Sequence, residues 1–534
     1  MERHNSSTAP DLSRWQRALA ALESGQPRLA LRHIDALLAD HPHRADLYLA
    51  RSLAWERLGD GDRALTEAAT ALQRAPGFVP ALQRLGELHL HRGELPQAHS
   101  VLSQAVQGAP HSAPLWDLLA EVHLRADRPE IALRCMKTVL ALAPQSTTYR
   151  LHLAEILRQS GAPEGALALL ESQPRQDLAD WWVNRALAAE DSADFTRAWE
   201  SIDQACHLAP HHPLARWNRA LLLLRRGRLA QGWRDYPWGT AAGARPPPPP
   251  PARRWQGVDD PRPLWVTPEQ GVGDEILFAS TLGDLTTHGL QVHWQSDPRL
   301  CRLIARAHPA AHVAPSPPAA AGRYAQARMG DLLPWLRQDF SRFPRHRGYL
   351  TPDPERRAAL RAWLDGLGPG VKIGISWRAG RRFLARGRRG IPFPLWERLF
   401  RLHGVVWISL QHGDTQGEDR LARHAWGRPL HRPPVDLLND LDGLGALIDA
   451  LDGVITVDNA TAHLAGALAA PTLVLLPRVA DWRWFLERAD SPWYPSLRLL
   501  RQSHSGDWRP VMQRAAEALT RAARAGGVGF TATD

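Results

Sequence analysis

Proline punctuates the first half of this chain at a fixed interval. Pro42, Pro76, Pro110 and Pro144 each stand 34 residues after the last, and Pro210 lies 66 residues beyond Pro144. Proline lacks a backbone donor and clashes with the preceding turn, so it ends a helix. A recurrence of this length marks stacked supersecondary units, none of which can bury its apolar face alone. The contents of the interval agree. Ala30, Ala64, Ala98, Ala132 and Ala198 each lie twelve residues before a proline, where a small side chain lets two antiparallel helices approach. Tyr48, Leu82, Trp116 and Trp182 share a large-residue position, Leu85-Gly86 marks one helix crossing, and Gly59, Gly93, Gly161 and Gly227 fall at turns.

This pattern resembles the tetratricopeptide repeat. About six helical hairpins are expected between residues 11 and 240, with the copy around 145–178 degenerate. Such a solenoid offers an extended groove to a peptide or protein. It also suits self-association, which leaves a homo-oligomer open.

Composition narrows the remaining classes. With 534 residues, three or four domains are expected, each long enough to bury a core. No apolar run approaches the ~20 residues of a membrane span. The longest, Leu221–Leu224, ends in Arg225 and Arg226. The first residues are polar, without the apolar core of a secretion signal. Cys135, Cys206 and Cys301 are odd in number and far apart, which excludes a disulfide framework and a CxxC zinc site. A reducing cytoplasm is the expected compartment. The net charge of +10 is almost wholly arginine, since Lys137 and Lys372 are the only lysines. It concentrates in one place, described below, whose context is not that of a nucleic-acid module, so nucleic-acid binding is not expected.

Six prolines, Pro246 to Pro251, then interrupt the chain. Polyproline is a stiff spacer, so a boundary is expected here: a repeat domain over 1–240 and a Pro-rich linker over 241–262. Beyond it the periodicity changes. Apolar runs at 264–267, 291–294, 371–377, 405–410, 453–457 and 472–476 read as buried strands. Helical stretches at 274–287, 394–402, 440–451 and 461–469 separate them. This alternation predicts an α/β region with parallel sheets, whose ligands bind beyond the carboxyl ends of the strands.

Three post-strand loops carry chemistry. Glu269-Gln-Gly271-Val-Gly273-Asp274 lets the backbone approach a ligand through Gly271 and Gly273, with Asp274 at a helix start as an N-cap or as an acid–base group. After 371–377 come Arg378, Arg381, Arg382, Arg386, Arg388 and Arg389, without an acid from Lys372 to Pro394; guanidinium forks match phosphate oxygens. Val457-Asp458-Asn459-Ala460-Thr461-Ala462-His463 turns from a strand into a helix, whose first amides suit a phosphate and whose first turn presents His463.

In combination, Gly232-Trp-Arg-Asp-Tyr236, Trp255-Gln-Gly257, Glu269 to Asp274, Gly374-Ile-Ser-Trp377, Ser409-Leu-Gln411, Val457 to Leu468, Asp481-Trp-Arg-Trp484 and Asp490-Ser-Pro-Trp-Tyr-Pro495 resemble family 9 glycosyltransferases. These are the relatives of the ADP-heptose lipopolysaccharide heptosyltransferases, and the likeness is to the branch with N-terminal tetratricopeptide repeats. The resemblance implies a GT-B architecture of two Rossmann-like lobes: an acceptor-side lobe over 263–355 and a nucleotide-sugar lobe over 356–534. It implies inverting transfer from a nucleotide-sugar co-substrate, with no metal and no resident cofactor. Asp274 matches the acidic residue expected as base. Asp458, Asn459, Ala460 and His463 match the run that approaches the donor diphosphate, although Asn459 and Ala460 stand where Thr and a small residue are usual. Gly271, Gly273, Trp377, Arg378, Arg381, Arg388, Gln411 and Thr461 complete the expected donor site, Gln411 toward the nucleoside. The expected acceptor is a protein or peptide chosen by the repeat groove, as in flagellin-modifying enzymes of similar layout, with a surface polysaccharide precursor second. The competing expectation is a non-catalytic repeat scaffold carrying a degenerate nucleotide-binding module.

Overall fold

The computed structural model describes residues 9–250, 253–379 and 390–524. The chain divides into two compact units, Met1–Pro174 and Arg175–Asp534. The first is built of five hairpins: α1 (Ala9–Glu23) with α2 (Pro27–Asp40), α3 (Ala45–Arg57) with α4 (Gly61–Arg74), α5 (Val79–His91) with α6 (Leu95–Gly108), α7 (Ala113–Arg125) with α8 (Pro129–Leu142), and α9 (Thr147–Gln159) with α10 (Pro163–Ser172). The second unit opens with two more, α11 (Ala179–Asp191) with α12 (Phe195–Leu208) and α13 (Pro213–Arg225) with α14 (Leu229–Asp235).

The described residues thus hold seven hairpins, not about six. The stretch expected to be degenerate is a regular pair, α9 and α10. Its second helix stops two residues before Pro174, a proline that follows Pro144 by 30 residues and so falls off the 34-residue grid. The other recurring prolines likewise sit two residues beyond a helix end. The five recurring alanines are fully buried, and a Cβ on Gly86 would collide with Leu102 of the facing helix. The large-residue position works as an anchor. Tyr48 Oη, Trp116 Nε1 and Trp182 Nε1 each donate to the carbonyl six residues back, on Pro42, Pro110 and Gln176 at 3.1, 2.8 and 3.1 Å.

Each hairpin turns through one left-handed residue, at positions 25, 59, 93, 127, 161, 193 and 227. Glycine holds five of these places. Asp127 (φ 63°) and Ala193 (φ 61°) hold the others against the steric clash of their Cβ.

The rest of the second unit is two parallel sheets. The first has strand order β3-β2-β1-β4, from β1 (Leu264–Thr267), β2 (Val292–Gln295), β3 (His312–Ala314) and β4 (Ala325–Arg328). The second has order β10-β9-β8-β5-β6-β7, from β5 (Val371–Ser376), β6 (Val405–Ser409), β7 (Leu430–His431), β8 (Gly453–Val457), β9 (Thr472–Leu476) and β10 (Leu497–Arg501). Each begins in the middle, runs to one edge and returns to the other side of its first strand, which is the doubly wound order. The helix expected over 274–287 is two, α15 (Val272–Ala279) and α16 (Leu282–Thr287). Position 356, expected to open the second lobe, falls inside a helix, α17 (Pro354–Asp365), which lies against α18 (Leu441–Ala450).

The range 241–262 does not separate two compact units. Trp217, Leu224, Leu229, Trp233 and Tyr236 of the last hairpin share one core with residues of both sheets. Trp233 Nε1 donates to the Arg337 carbonyl at 2.7 Å. Arg245 is wholly buried, with Nε 2.8 Å from Glu269 Oε2 and Nη2 2.7 Å from Asp331. Burial pushes the Glu269 carboxyl up, opposed by Arg245. Beyond the prolines, the Arg253 carbonyl accepts from Gln326 N–H at 2.7 Å and Trp255 N–H donates back at 2.9 Å, along the edge of β4. The spacer is therefore flanked by anchored residues, Arg245 through its side chain and Arg253 and Trp255 through their backbone.

Two expectations follow. Ala193→Gly relieves the left-handed strain and raises the unfolding free energy by about 1 kcal/mol, read as a higher denaturation midpoint; a lower midpoint would contradict the turn assignment. A chain beginning at residue 175 keeps every contact of the shared core and unfolds cooperatively, whereas one beginning at residue 246 strips Trp217, Trp233 and Tyr236 from it and is recovered insoluble. Soluble, cooperative 246–534 would show that the last hairpin is dispensable.

Candidate functional site

In a doubly wound sheet the ligand crevice opens where the strand order reverses, at the carboxyl ends of the two strands that flank the reversal. In the first sheet that point lies between β1 and β4, and in the second between β5 and β8. The loops after β1, β5 and β8 are the three that the sequence singles out. They wall one cleft of about 370 Å3, with Gly271, Gly273 and Asp274 from the first loop, Arg378 from the second, and Asp458 to Thr461 with His463 from the third.

Asp274 stands at the third position of α15, not at its N-cap, which is Gly271. One carboxylate oxygen accepts the Gly271 N–H at 3.3 Å. The other pairs with Arg483. Arg483 is nearly buried and also reaches Asp481 Oδ1 at 2.5 Å and Gln270 Oε1 at 2.8 Å, with its guanidinium 4.5 Å from the centre of the Trp482 ring. Burial by itself would lower its pKa, but Asp274 and Asp481 overcome that and hold it above the usual arginine value. Gln270, at φ 62°, is a non-glycine residue in left-handed backbone, and its side chain is spent on this cluster.

Across the cleft begins α19, the helix Ala460–Ala467. Asn459 caps it, its Oδ1 accepting from Ala462 N–H at 3.3 Å, while its Nδ2 donates to Ser376 Oγ at 2.8 Å and to the Arg378 carbonyl at 3.1 Å. Asparagine therefore does structural work that ties the β8 loop to the β5 loop, and leaves the amides of Ala460 and Thr461 at the helix start. Asp458 is buried and accepts from Trp484 Nε1 at 2.8 Å. His463 is held on two sides: Tyr494 Oη lies 2.8 Å from Nδ1, and Trp484 stacks on the ring with centroids 5.1 Å apart. Burial, with Tyr349 beside it, holds Tyr494 well above the usual phenol value, so its proton stays. The Cδ2–Nε2 edge of His463 faces Gly273, where an added Cβ would lie 3.0 Å from Cδ2. The two helix starts meet at this point, where a side chain at 273 would press on the imidazole.

Two expected donor contacts play other parts. Trp377 is buried, packed on Phe393, and does not line the cleft. Gln411 is also buried beneath the loop. Its Oε1 accepts from Ser376 Oγ, Trp377 N–H and Arg378 N–H at 3.2, 3.1 and 2.8 Å, so it shapes the cleft floor from below. It borders instead an adjoining cavity of about 300 Å3 that includes Gly413, Thr415 and Arg432, and His412 lines both spaces. Arg378 faces the cleft while Nη1 reaches Glu418 at 3.4 Å. Arg381, Arg382, Arg386, Arg388 and Arg389 lie outside the described residues.

Sequence reasoning missed Arg483, Asp481 and Tyr494 as site residues, although the segments 481–484 and 490–495 had both stood out as motifs. Within them the charged and phenolic groups do the positioning. Among the described residues no three His, Cys, Asp or Glu gather as a metal-holding group, and no helix is long and apolar enough to cross a membrane. Gly466 leaves room for Tyr494, whose ring a Cβ would strike. Gly466→Ala is expected to destabilise the second unit by roughly 1–3 kcal/mol and to release His463, read as loss of the Tyr494–His463 coupling in the histidine NMR shift. An unshifted resonance would sink this role.

Comparison with known proteins supports the repeats directly. Tetratricopeptide repeat models match residues 56–122, and 16–80, 118–177 and 183–232. Protein FlbA of Caulobacter vibrioides is 34% identical over 369 residues, covering 64% of this chain and 61% of FlbA, so the likeness spans under two thirds of that relative. Among solved structures, a tetratricopeptide repeat protein from Parabacteroides merdae is 15% identical with a TM-score of 0.40, covering 44% of this chain and 94% of its own. MamA from Desulfovibrio magneticus is 22% identical with a TM-score of 0.29, covering 31% and 93%. The chain carries tetratricopeptide repeats, followed by an α/β region of two parallel sheets.

Proposed function

We propose that the cleft transfers a glycosyl group from a nucleotide-sugar to an acceptor hydroxyl, with the acceptor a protein presented by the repeats. One observation carries this reading: the carboxylate of Asp274 from the first sheet and the α19 start, His463 and Arg378 from the second all line the same 370 Å3 space. The chemistry needs that pairing. The acceptor oxygen must lose its proton as it bonds to the anomeric carbon, and Asp274 takes that proton. The bond from the same carbon to phosphate breaks on the opposite face, which inverts the configuration. Negative charge grows on the departing diphosphate, where the Ala460 and Thr461 amides, the His463 edge and Arg378 meet it. Arg483 is a positioning residue: it fixes the Asp274 carboxylate without spending the oxygen's remaining lone pairs. The adjoining 300 Å3 cavity, with His412 between, is the place for the nucleoside.

The test is nucleotide release and product mass from a panel of nucleotide-sugars, with and without acceptor protein. Asp274→Asn should lower kcat roughly 10^2- to 10^4-fold with donor affinity kept. Arg378→Ala should raise the donor KM about tenfold, the weight of one charge-assisted contact, and leave the acceptor KM unchanged. Nucleotide binding with no turnover for any donor would favour the scaffold reading and end this one.

A further inference from the structure

A second cavity, of about 630 Å3, lies where the last two repeats meet the α/β region. It is larger than the cleft, and neither the sequence motifs nor the transfer chemistry uses it. Its walls are the turns of the sixth and seventh hairpins, Phe340, and the segment 485–488. Arg225, Arg226, Arg228 and Arg488 line it, against the acids Asp194 and Glu487. Some of this charge is already met. Arg225 pairs with Glu190, Arg488 with Asp490 at 2.6 Å, and Asp194 with Arg197 at 3.3 Å. A surplus of cation remains. The Arg225 side chain is 9% exposed, and its buried Nε has no hydrogen-bond partner. Arg228 is exposed. Behind the wall, burial and then Arg225 bring the pKa of Arg501 down to about 10, against the pull of Asp458.

The same wall is aromatic. Phe340 is 38% exposed, beside Phe485 with ring centroids 5.1 Å apart, and Arg488 lies 4.9 Å over its face. The seventh turn admits that ring because residue 227 is glycine; a Cβ there would sit 2.8 Å from it. The segment also touches the catalytic side of the molecule. Phe485, held at φ 55°, is two residues from Arg483 and one from Trp484, the residues that hold Asp274 and His463. Fixed guanidinium groups beside an open aromatic face suit an extended chain carrying both carboxylate and apolar side chains.

We propose that this cavity binds an acidic segment of the acceptor protein, its carboxylates on Arg226 and Arg228 and an apolar side chain against Phe340. The word acceptor rests on the transfer reading; the binding site does not. The test uses the full chain and a fluorescein-labelled Glu-Phe-Glu-Glu-Phe-Glu peptide, with Gln-Phe-Gln-Gln-Phe-Gln as its neutral counterpart, in salt of about 0.15 M to screen diffuse attraction. The acidic peptide should bind at least tenfold tighter. Arg228→Glu and Phe340→Ala should each weaken it at least tenfold, while Arg32→Glu, an equal charge change on an exposed helix position, should not. Equal binding of the two peptides, no binding, or an equal loss with Arg32→Glu would overturn the site. Displacement by citrate at matched carboxylate concentration would overturn the peptide assignment. Asp274→Asn should keep the peptide while losing turnover, so failure of the transfer chemistry and failure of this site read out separately.

Discussion

A guanidinium at the cleft joins the two sheets. Arg483 comes from the segment after β9 of the second sheet, and its partners Asp274 and Gln270 come from the loop after β1 of the first. A buried ion pair is weak as a source of net stability, because both charges lose water to form it. Its value lies in geometry. Breaking it leaves a carboxylate or a guanidinium stranded, at about 3–5 kcal/mol, so the relative placement of the two loops is strongly specified. Beside that contact lie the approach of Gly273 to His463 and the meeting of two helix starts.

Support for the cleft is layered in the same way on the other side. Tyr494 and Trp484 fix His463, Asn459 ties two loops together, and Gln411 gathers three donors beneath them. These groups have side chains suited to ligand contact, yet the fold spends them on one another. Residue type alone therefore overestimates how many polar groups a ligand can touch. What distinguishes Gln411 from Asp274 is depth: one lies under the loop backbone, the other at the rim of open space.

The legibility of the chain tracks the regularity of its chemistry. The repeats are readable because proline, alanine and an aromatic anchor recur in register, and the one copy that looked irregular merely has a shorter second helix. Strands β1, β2, β5, β6, β8 and β9 are readable as apolar runs. The others are not: β3 is half exposed, β4 reads Ala-Gln-Ala-Arg, β7 has two residues and β10 carries two arginines. Their pairing is set by neighbours in the sheet rather than by their own composition. The three cleft-lining loops were visible because each follows a readable strand. Arg483 and Tyr494 were hidden because they act from segments with no periodicity, through contacts more than 30 residues away or across sheets.

The core shared by the last hairpin and the sheets bears on how such a chain can change. Whole 34-residue copies upstream of Arg175 can be gained or lost in integral steps, since no strand and no residue of that common core lies within them. The final copy lacks this freedom. It packs into the core of the α/β body, so selection on the repeats is expected to be split, permissive toward the start of the chain and stringent at the last hairpin.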